Sequence, residues 1–517
     1  MTLREKILKT FVVTIREVNT HGGPEAFFEK YPVGGIYYSE EAMLLDEDGR
    51  EMGSAMTFES LQRCKAASKN KLLVCADQTF IKGQKMLDNS QRSLGATDSE
   101  EAAYNFGKII GMQMNSNGVD WVLAPSIDMY FSPVMPLMAI SDDPEHIAKV
   151  YRQVIRGIQD QGVCATVKHF PGVGTTNINM HLAPSDNILP FDEWMDTYGY
   201  TYKQMFEENA MSVMTTHVAL KSFDNEFTDG YYPVATFSHK LTTELLKEKL
   251  GFEGAVVTDA LIMGGMATGD IVAETVQAFK AGADLLLWPP IEAADKIEEA
   301  IKSGDIPMSR LEDALSRIEK MEAFRNKALA GKAYDEPDCG FADKAMLDIE
   351  EKGICLLRNN IDLLPLKGEC KKILVVDATD IEGDKSSYML CDELKKRGFD
   401  AEVKRDIYDV PSLVVWQSEV DAIQKDYDLV IFNLNANYIA SWTVPMMLIW
   451  ASHLFDKKKK LIVNYGSPFF ARDYFPEDPT IIEMNCVPSA AIIEKLVDKM
   501  QGMSEFEGKC VLKSKEV

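Results

Sequence analysis

Eight short apolar runs recur through the first two thirds of the chain, separated by longer stretches with helical spacing or turn residues. Each run is too short for a typical helix and is apolar almost throughout, which is typical of parallel strands buried on both faces. Eight such strands with helices between them predict an α/β fold, a (β/α)₈ barrel of the TIM type. The predicted strands are residues 11–14, 33–38, 71–76, 121–124, 165–169, 212–216, 255–259 and 284–288.

Polar side chains stand where several of these runs end. Lys168 and His169 finish the fifth predicted strand, Asp77 follows the third and His217 follows the sixth. Asp259 closes the seventh. The C-terminal ends of all strands of a barrel meet on one face, and that face carries the active site in such enzymes. The sequence therefore predicts one shared site built from residues that are far apart along the chain.

The pattern changes after the eighth predicted strand. An apolar stripe over residues 311–321 predicts an amphipathic exit helix, and a polar stretch with Gly and Pro follows it. Strands and helices then alternate, which predicts an open, mainly parallel α/β sandwich. We expect a barrel over residues 1–335, a linker over 336–350 and a second domain over 351–517. The predicted strands of the second domain are residues 372–376, 401–404, 429–434, 461–464 and 480–484.

Composition narrows the classes of partner. The 517-residue chain has a net charge of -25, whereas a nucleic-acid surface needs clustered Lys and Arg. Nine cysteines are scattered without a CxxC pair, so neither a disulfide framework nor a zinc site is indicated. No apolar run approaches the roughly 20 residues of a membrane helix, and no secretory signal is visible. We therefore expect a cytoplasmic protein without a cofactor, metal ion, nucleic-acid partner or membrane partner.

Asp259 and His181 are the candidate catalytic residues. A fixed, ionised carboxylate at a barrel mouth can attack an anomeric carbon, although an Asp after a strand also fits a turn or an N-cap. His181 lies in a glycine-rich loop, where a histidine is most often only a surface residue. An imidazole titrates near neutral pH, so it can also give a proton to a leaving oxygen and later take one from water.

Asp77, Lys168 and His169 are candidates for binding sugar hydroxyls, because charged groups make strong hydrogen bonds in a desolvated pocket. The same three side chains would also suit a structural ion-pair cluster at the barrel mouth. Their residue types alone leave both interpretations open.

The segment KHFPGVGTT over residues 168–176, followed by Asn179-Met180-His181, resembles the signature of glycoside hydrolase family three, in its bacterial β-N-acetylglucosaminidase branch. The resemblance extends to nearly the whole chain. Further matching positions are Asp77-Gln78, Ala124-Pro125 with Asp128, residues 142–145, 214–217, 251–254, 258–260 and 281–284, and in the second domain 356–359, 363–366 and 465–468.

The resemblance implies a retaining glycosidase, most simply a β-N-acetylhexosaminidase that acts on small cell-wall or dietary glycans. It implies that Asp259 is the nucleophile and His181 the acid/base. A basic residue stands at Lys85 where the family has Arg. The residues expected to hold the carbohydrate are Asp77, Lys85, Lys168, His169, Asn179 and His217.

Several positions depart from the family signature. The Asp that partners the catalytic histidine is Asn179 here, a sugar-binding Arg aligns with Met138, and a Glu-Gly-Gly stretch is replaced over residues 79–81. An amide accepts a hydrogen bond without supplying charge or, if flipped, imposes the wrong tautomer on its histidine. Three alternatives follow: an active enzyme with altered substrate choice, a catalytically impaired sugar-binding or scaffold protein, and a glycosidase whose acid is a second-domain glutamate.

Overall fold

The structure is a computed structural model that describes residues 1–38, 54–77, 90–131, 139–176, 178–227, 230, 232–265, 269–329, 338–379, 381–405, 417–436 and 444–512. Lys85, Met138 and residues 79–81 lie outside these ranges, so the predictions that involve them remain predictions.

The chain divides into two compact units. The first comprises Met1–Asp88, Ala103–Ala139 and Pro144–Cys339, and the second comprises Asn89–Ala102, Ile140–Asp143 and Gly340–Val517. The contacts thus assign to the second unit two short segments that the sequence analysis places within the barrel. The limits 1–335, 336–350 and 351–517 remain a prediction.

The first unit is a parallel β-barrel, as the apolar runs predict. Its strands are β1 (Phe11–Thr14), β2 (Gly35–Tyr38), β3 (Leu73–Ala76), β4 (Trp121–Val122), β5 (Cys164–Phe170), β6 (Ser185–Asn187), β7 (Ser212–Thr215), β8 (Val218–Leu220), β9 (Ala255–Thr258) and β10 (Leu286–Leu287). Eight of them form one sheet in the order β10-β1-β2-β3-β4-β5-β7-β9. A parallel bridge between Val257 and Leu285 closes this sheet into a barrel. The remaining two, β6 and β8, pair with each other outside it.

Helices connect the barrel strands, and alternate strand residues fill the interior. Leu73 with Cys75, and Ala255 with Val257, belong to one buried cluster, because residues two apart on a strand share a face. Within the described ranges no helix has the length and apolar character to cross a membrane. The helices are Leu3–Leu8, Ile15–Thr20, Pro24–Lys30, Ser54–Ala67, Glu100–Ser116, Pro144–Asp160, Phe191–Trp194, Tyr200–Glu207, Ile271–Ala281, Ala293–Ser303 and Met308–Leu329, with π-helical turns at Met195–Gly199 and Lys240–Lys249.

An ion network lies where strand β4 begins. Asp120, the residue before β4, accepts hydrogen bonds from Lys65 and from Arg325 of the exit helix, each at 2.8 Å. Its other oxygen accepts the main-chain N–H of Val74 at 3.0 Å. Because Asp120 and Arg325 are both buried, this carboxylate joins three elements at the end of the barrel opposite to the C-terminal strand ends.

The second unit is an open, mainly parallel sheet with helices. Its strands are β11 (Cys355–Asn359), β12 (Lys372–Thr379), β13 (Asp400–Lys404), β14 (Leu429–Asn435), β15 (Lys460–Asn464) and β16 (Thr480–Glu483), in the sheet order β11-β16-β15-β14-β12-β13. Only β11 runs antiparallel to its neighbour. Its helices are Ser90–Thr97, Cys339–Lys352, Ser386–Lys396, Gln417–Gln424, Val444–Ser452, Phe469–Asp473 and Ala490–Met500, with a 3₁₀ turn at Lys457–Lys459.

Strand β11 is not among the strands predicted from the sequence. This strand lies at the sheet edge, and only Cys355 of its five residues is fully buried. It therefore lacks the continuous apolar run that marks the other strands. The five strands predicted for this unit are all present, so the expected α/β sandwich is confirmed.

The helix Ser90–Thr97 is held in the second unit by buried polar contacts. The Arg92 guanidinium donates to the carbonyl oxygens of Tyr465, at 2.9 Å, and of Gly466. The Ser93 hydroxyl donates to the carbonyl of Asn485 at 2.7 Å. These bonds satisfy main-chain groups that follow β15 and β16, so the segment is part of this unit's packing.

Glu483, the last residue of β16, is a buried carboxyl group. One of its oxygens accepts a hydrogen bond from the Asn464 amide at 2.8 Å, and the other has no partner among the described residues. Burial raises the pKa of Glu483 to about 8, against the opposing effects of Asn464, Arg92 and Arg358. The group is therefore mainly protonated at neutral pH.

Candidate active site

Asp259 directly follows β9 and has both carboxylate oxygens engaged. The Thr216 hydroxyl donates to one oxygen at 2.7 Å and the main-chain N–H of Ala260 donates to the other at 2.9 Å. Burial by itself would raise the pKa of Asp259, but the charges of His169 and His217 and these two hydrogen bonds outweigh it and lower the pKa. The carboxylate is thus oriented and ionised at neutral pH.

A second acidic group at the same end of the barrel is paired. Lys168 of β5 contacts Asp77, which follows β3, with 2.6 Å between Nζ and Oδ1. The Tyr37 hydroxyl of β2 donates to the other Asp77 oxygen at 2.9 Å. Burial, followed by the charges of Asp77 and Asp259, raises the pKa of Tyr37, so this phenol remains a hydrogen-bond donor.

His169 is oriented by a buried carboxylate. Its Nδ1 lies 2.6 Å from Oδ2 of Asp128, so Nδ1–H donates to that oxygen. Asp128 is itself held by the Ser126 hydroxyl at 2.7 Å and by the main-chain N–H of Val173 at 2.8 Å. A carboxylate that accepts the Nδ1 proton fixes the tautomer of a histidine and leaves Nε2 available to another group.

His181 is exposed and pairs with Asn179. Its Nδ1 lies 2.7 Å from Oδ1 of Asn179, and its main-chain N–H donates to the same oxygen at 3.0 Å. The main-chain N–H of His181 can only donate, so the amide atom that it faces must be the oxygen, and Nδ1 beside that oxygen must then carry a proton. Asn179 therefore holds the proton on Nδ1, as an Asp would, and only the negative charge is missing.

The loop that carries His181 is attached to the loop that follows Asp259. The main-chain N–H of Gly264 donates to the carbonyl of His181 at 2.9 Å, and that of Gly265 donates to Met180 at 3.1 Å. A side chain at Gly265 would lie 2.4 Å from the Met180 carbonyl oxygen, so this approach requires glycine. These bonds bring the imidazole-bearing loop beside the carboxylate-bearing one.

His217 has both ring nitrogens engaged within the protein. Nε2–H donates to the Ala260 carbonyl at 3.1 Å and Nδ1 accepts the Thr236 hydroxyl at 2.9 Å. Burial lowers the pKa of His217, although the charge of Asp259 opposes this effect. The structure thus places His217 against the residue that follows Asp259, fully buried, and its predicted contact with carbohydrate remains a prediction.

Several residues of this region had no role assigned from sequence. Tyr37 and Thr216 bind the two candidate carboxylates, and Trp288 makes an edge contact with Tyr37 at 5.0 Å between ring centroids. Their positions in the sequence could have suggested a role in the site, because each is a polar or aromatic residue at the end of an apolar run. The described residues contain no group of three or more His, Cys, Asp or Glu side chains arranged to hold a metal ion.

Comparison with known proteins places the chain in a family. The glycosyl hydrolase family 3 N-terminal domain matches residues 2–321. A β-N-acetylglucosaminidase/β-glucosidase of Cellulomonas fimi is 28% identical over 244 residues, which is 45% of this chain and 43% of that protein. The chain spans about half the length of the first curated relatives that it matches.

Two solved structures have a fold similar to that of this chain. The β-glucoside phosphorylase BglX has a TM-score of 0.81 at 23% identity, over 99% of this chain and 94% of that one. A family 3 β-N-acetylglucosaminidase from a Paenibacillus species has a TM-score of 0.78 at 22% identity, over 99% of each chain. On the family match over residues 2–321, this chain belongs to glycosyl hydrolase family 3.

Proposed function

We propose that this protein is a retaining β-glycosidase, with Asp259 as nucleophile and His181 as acid/base, that releases β-N-acetylhexosamine from small glycans. The observation that carries the proposal is the attachment of the His181 loop to the loop after Asp259, at 2.9 Å between Gly264 N and the His181 carbonyl. Family membership supports the class of reaction, and the name of the Cellulomonas fimi relative supports the sugar.

The first half of the reaction uses Asp259 and His181 together. The Asp259 carboxylate attacks the anomeric carbon while the bond from that carbon to the leaving oxygen breaks. Protonated His181 gives its Nε2 proton to that oxygen, while Nδ1–H stays bound to Asn179. The low pKa of Asp259 suits this role, because a protonated carboxyl group is a poor nucleophile.

The second half restores the enzyme. Water attacks the anomeric carbon, His181 Nε2 accepts its proton, and the ester bond to Asp259 breaks. Asn179 stabilises the imidazolium less than a carboxylate would, so we expect slow acid catalysis rather than none. This expectation favours an active enzyme over the catalytically silent alternative.

Lys168, Asp77 and His169 are proposed to hold the sugar. The Lys168–Asp77 pair and the Tyr37 hydroxyl form a chain of hydrogen bonds across the ends of β2, β3 and β5. Hydroxyl groups of a sugar can enter such a chain as donors to Asp77 and acceptors from Lys168. His169 offers Nε2, because Nδ1 is bound to Asp128.

Trapping the covalent intermediate tests the proposal. We expect a 5-fluoro β-N-acetylglucosaminide with a good leaving group to label Asp259, as detected by peptide mass spectrometry. Asp259→Ala should remove both the label and the hydrolysis of aryl β-glycosides. Hydrolysis that survives in Asp259→Ala, or a label on another residue, would contradict the assignment of the nucleophile.

Inorganic phosphate is a second candidate acceptor, favoured by one observation. The side chain bonded to His181 is the neutral Asn179, so an incoming anion meets no carboxylate at the acid/base. The solved structure of BglX is named a β-glucoside phosphorylase. Both acceptors would react with the same glycosyl-enzyme, and product analysis separates them: phosphate gives a sugar 1-phosphate and water gives free sugar.

A further inference from the structure

Three large aliphatic side chains beside the candidate active site are exposed. Ile178 is 43% exposed, Leu182 79% and Ile262 63%. Leu182 directly follows His181, and Ile262 lies three residues after Asp259. We call these three side chains the aliphatic rim. Exposed apolar groups gathered at one place mark an interaction site more often than single scattered ones do.

The aliphatic rim is not required to pack the loops that carry it. The same loops already contribute inward-facing apolar groups, because Val173, Met180 and Val218 form a buried cluster against which Met263 packs. Met180 lies between the exposed Ile178 and Leu182 along the chain, and Met263 directly follows the exposed Ile262. The loops are thus anchored on one side, while their outer aliphatic groups remain in contact with water.

The two parts of the aliphatic rim are held together by main-chain contacts. Gly264 donates to the His181 carbonyl, and a side chain at Gly264 would lie 2.8 Å from the Leu182 carbonyl oxygen. Leu182 and Ile262 therefore lie on adjoining backbone segments. Because an acid/base must reach the leaving oxygen, residues next to His181 are near the leaving group rather than the sugar that reacts.

We propose that the aliphatic rim binds the leaving group, and that among the substrates of the proposed function it favours those whose leaving group presents an apolar alkyl or aryl surface. This inference rests on the proposed function, since it assigns a leaving group to the acid/base at His181. A second sugar would present hydroxyls to Ile178, Leu182 and Ile262, which offer no side-chain hydrogen bond. An alkyl or aryl group covers them and removes apolar surface from water.

Alkyl β-N-acetylglucosaminides of different length provide the test, because methanol and longer alkanols are leaving groups of similar acidity. The measured quantity is kcat/KM for the octyl glycoside divided by that for the methyl glycoside. We expect this ratio to be about tenfold or more in the unaltered protein. Leu182→Ser and Ile262→Ser should each lower it about five- to tenfold.

Met308→Ser is the matched control, since Met308 is similarly exposed at 43% but begins the exit helix. It should leave the ratio unchanged. A ratio near one in the unaltered protein, or rim variants whose ratio equals that of the unaltered protein, would overturn the inference while leaving the glycosidase proposal intact. Hydrolysis of neither glycoside would instead refute the proposed function, and the inference with it.

Discussion

Replacing Asn179 by Asp separates two contributions to acid catalysis, the tautomer of His181 and the charge beside it. In the structure the Asn179 oxygen accepts both Nδ1–H of His181, at 2.7 Å, and its main-chain N–H, at 3.0 Å. The proton is therefore already on Nδ1 in the unaltered protein. The substitution should add a negative charge without changing the geometry.

The size of the gain follows from the strength of one hydrogen bond. A neutral hydrogen bond contributes about 1 kcal/mol net and a bond to a charged group about 1.5–3 kcal/mol. Because His181 is exposed, we take the lower half of this difference, roughly 0.5–1 kcal/mol for the imidazolium in the transition state. That corresponds to a rate increase of roughly twofold to fivefold.

The assay is kcat/KM with two leaving groups. We expect Asn179→Asp to accelerate hydrolysis of an alkyl glycoside by this factor and to leave a nitrophenyl glycoside nearly unchanged, since a good leaving group needs little acid assistance. Asn179→Ala is the control, because it removes the hydrogen bond that fixes the tautomer of His181 and supplies no charge. An increase of about 10³–10⁴ would refute the reasoning, because only a wrong tautomer in the unaltered protein could release so much.

Three further predictions concern residues around the site and in the second unit. Tyr37→Phe should lower kcat/KM about fivefold to tenfold while lowering the melting temperature by no more than about 4 °C, because it deletes only the bond to Asp77; unchanged kinetics would exclude this role. Asp120→Asn should destabilise the first unit by about 3–5 kcal/mol in thermal denaturation by leaving Lys65 and a buried Arg325 uncompensated, and an unaltered melting temperature would contradict it. Glu483 has a folded-state pKa of about 8, above its ordinary value, so the folded state holds the proton over a range in which the unfolded state releases it. The stability of the unaltered protein should therefore fall by about 4 kcal/mol more than that of Glu483→Gln between pH 5 and pH 9, and parallel melting curves at all pH values would refute this.

The barrel could be predicted because its strands leave a strong local signal. Parallel strands covered on both faces are continuously apolar, so β1 has the predicted limits and the other seven begin or end within a few residues of theirs. The polar residues at the strand ends could also be identified from the sequence. Their convergence follows from the parallel order of the sheet, which brings Asp77 to Lys168 although 91 residues separate them.

The details of the site depend on contacts that no local pattern encodes. The sequence could not show that Asn179 presents its oxygen to two donors, since that depends on the turn between Asn179 and His181. Nor could it show that Gly264 binds the His181 loop. For His217 the sequence predicts the position but not the partners. A histidine at a strand end is compatible with a sugar contact and equally with the two internal hydrogen bonds that the structure shows.

The discontinuous second unit has a consequence for how the polypeptide is made. Ser93 and its partner Asn485 are 392 residues apart. Ribosomes add roughly 5–20 residues per second, so Ser93 leaves the ribosome about 20–80 s before that partner exists. During this interval the Ser90–Thr97 helix lacks the surface on which it will rest, and a fragment that stopped at residue 339 would never acquire it.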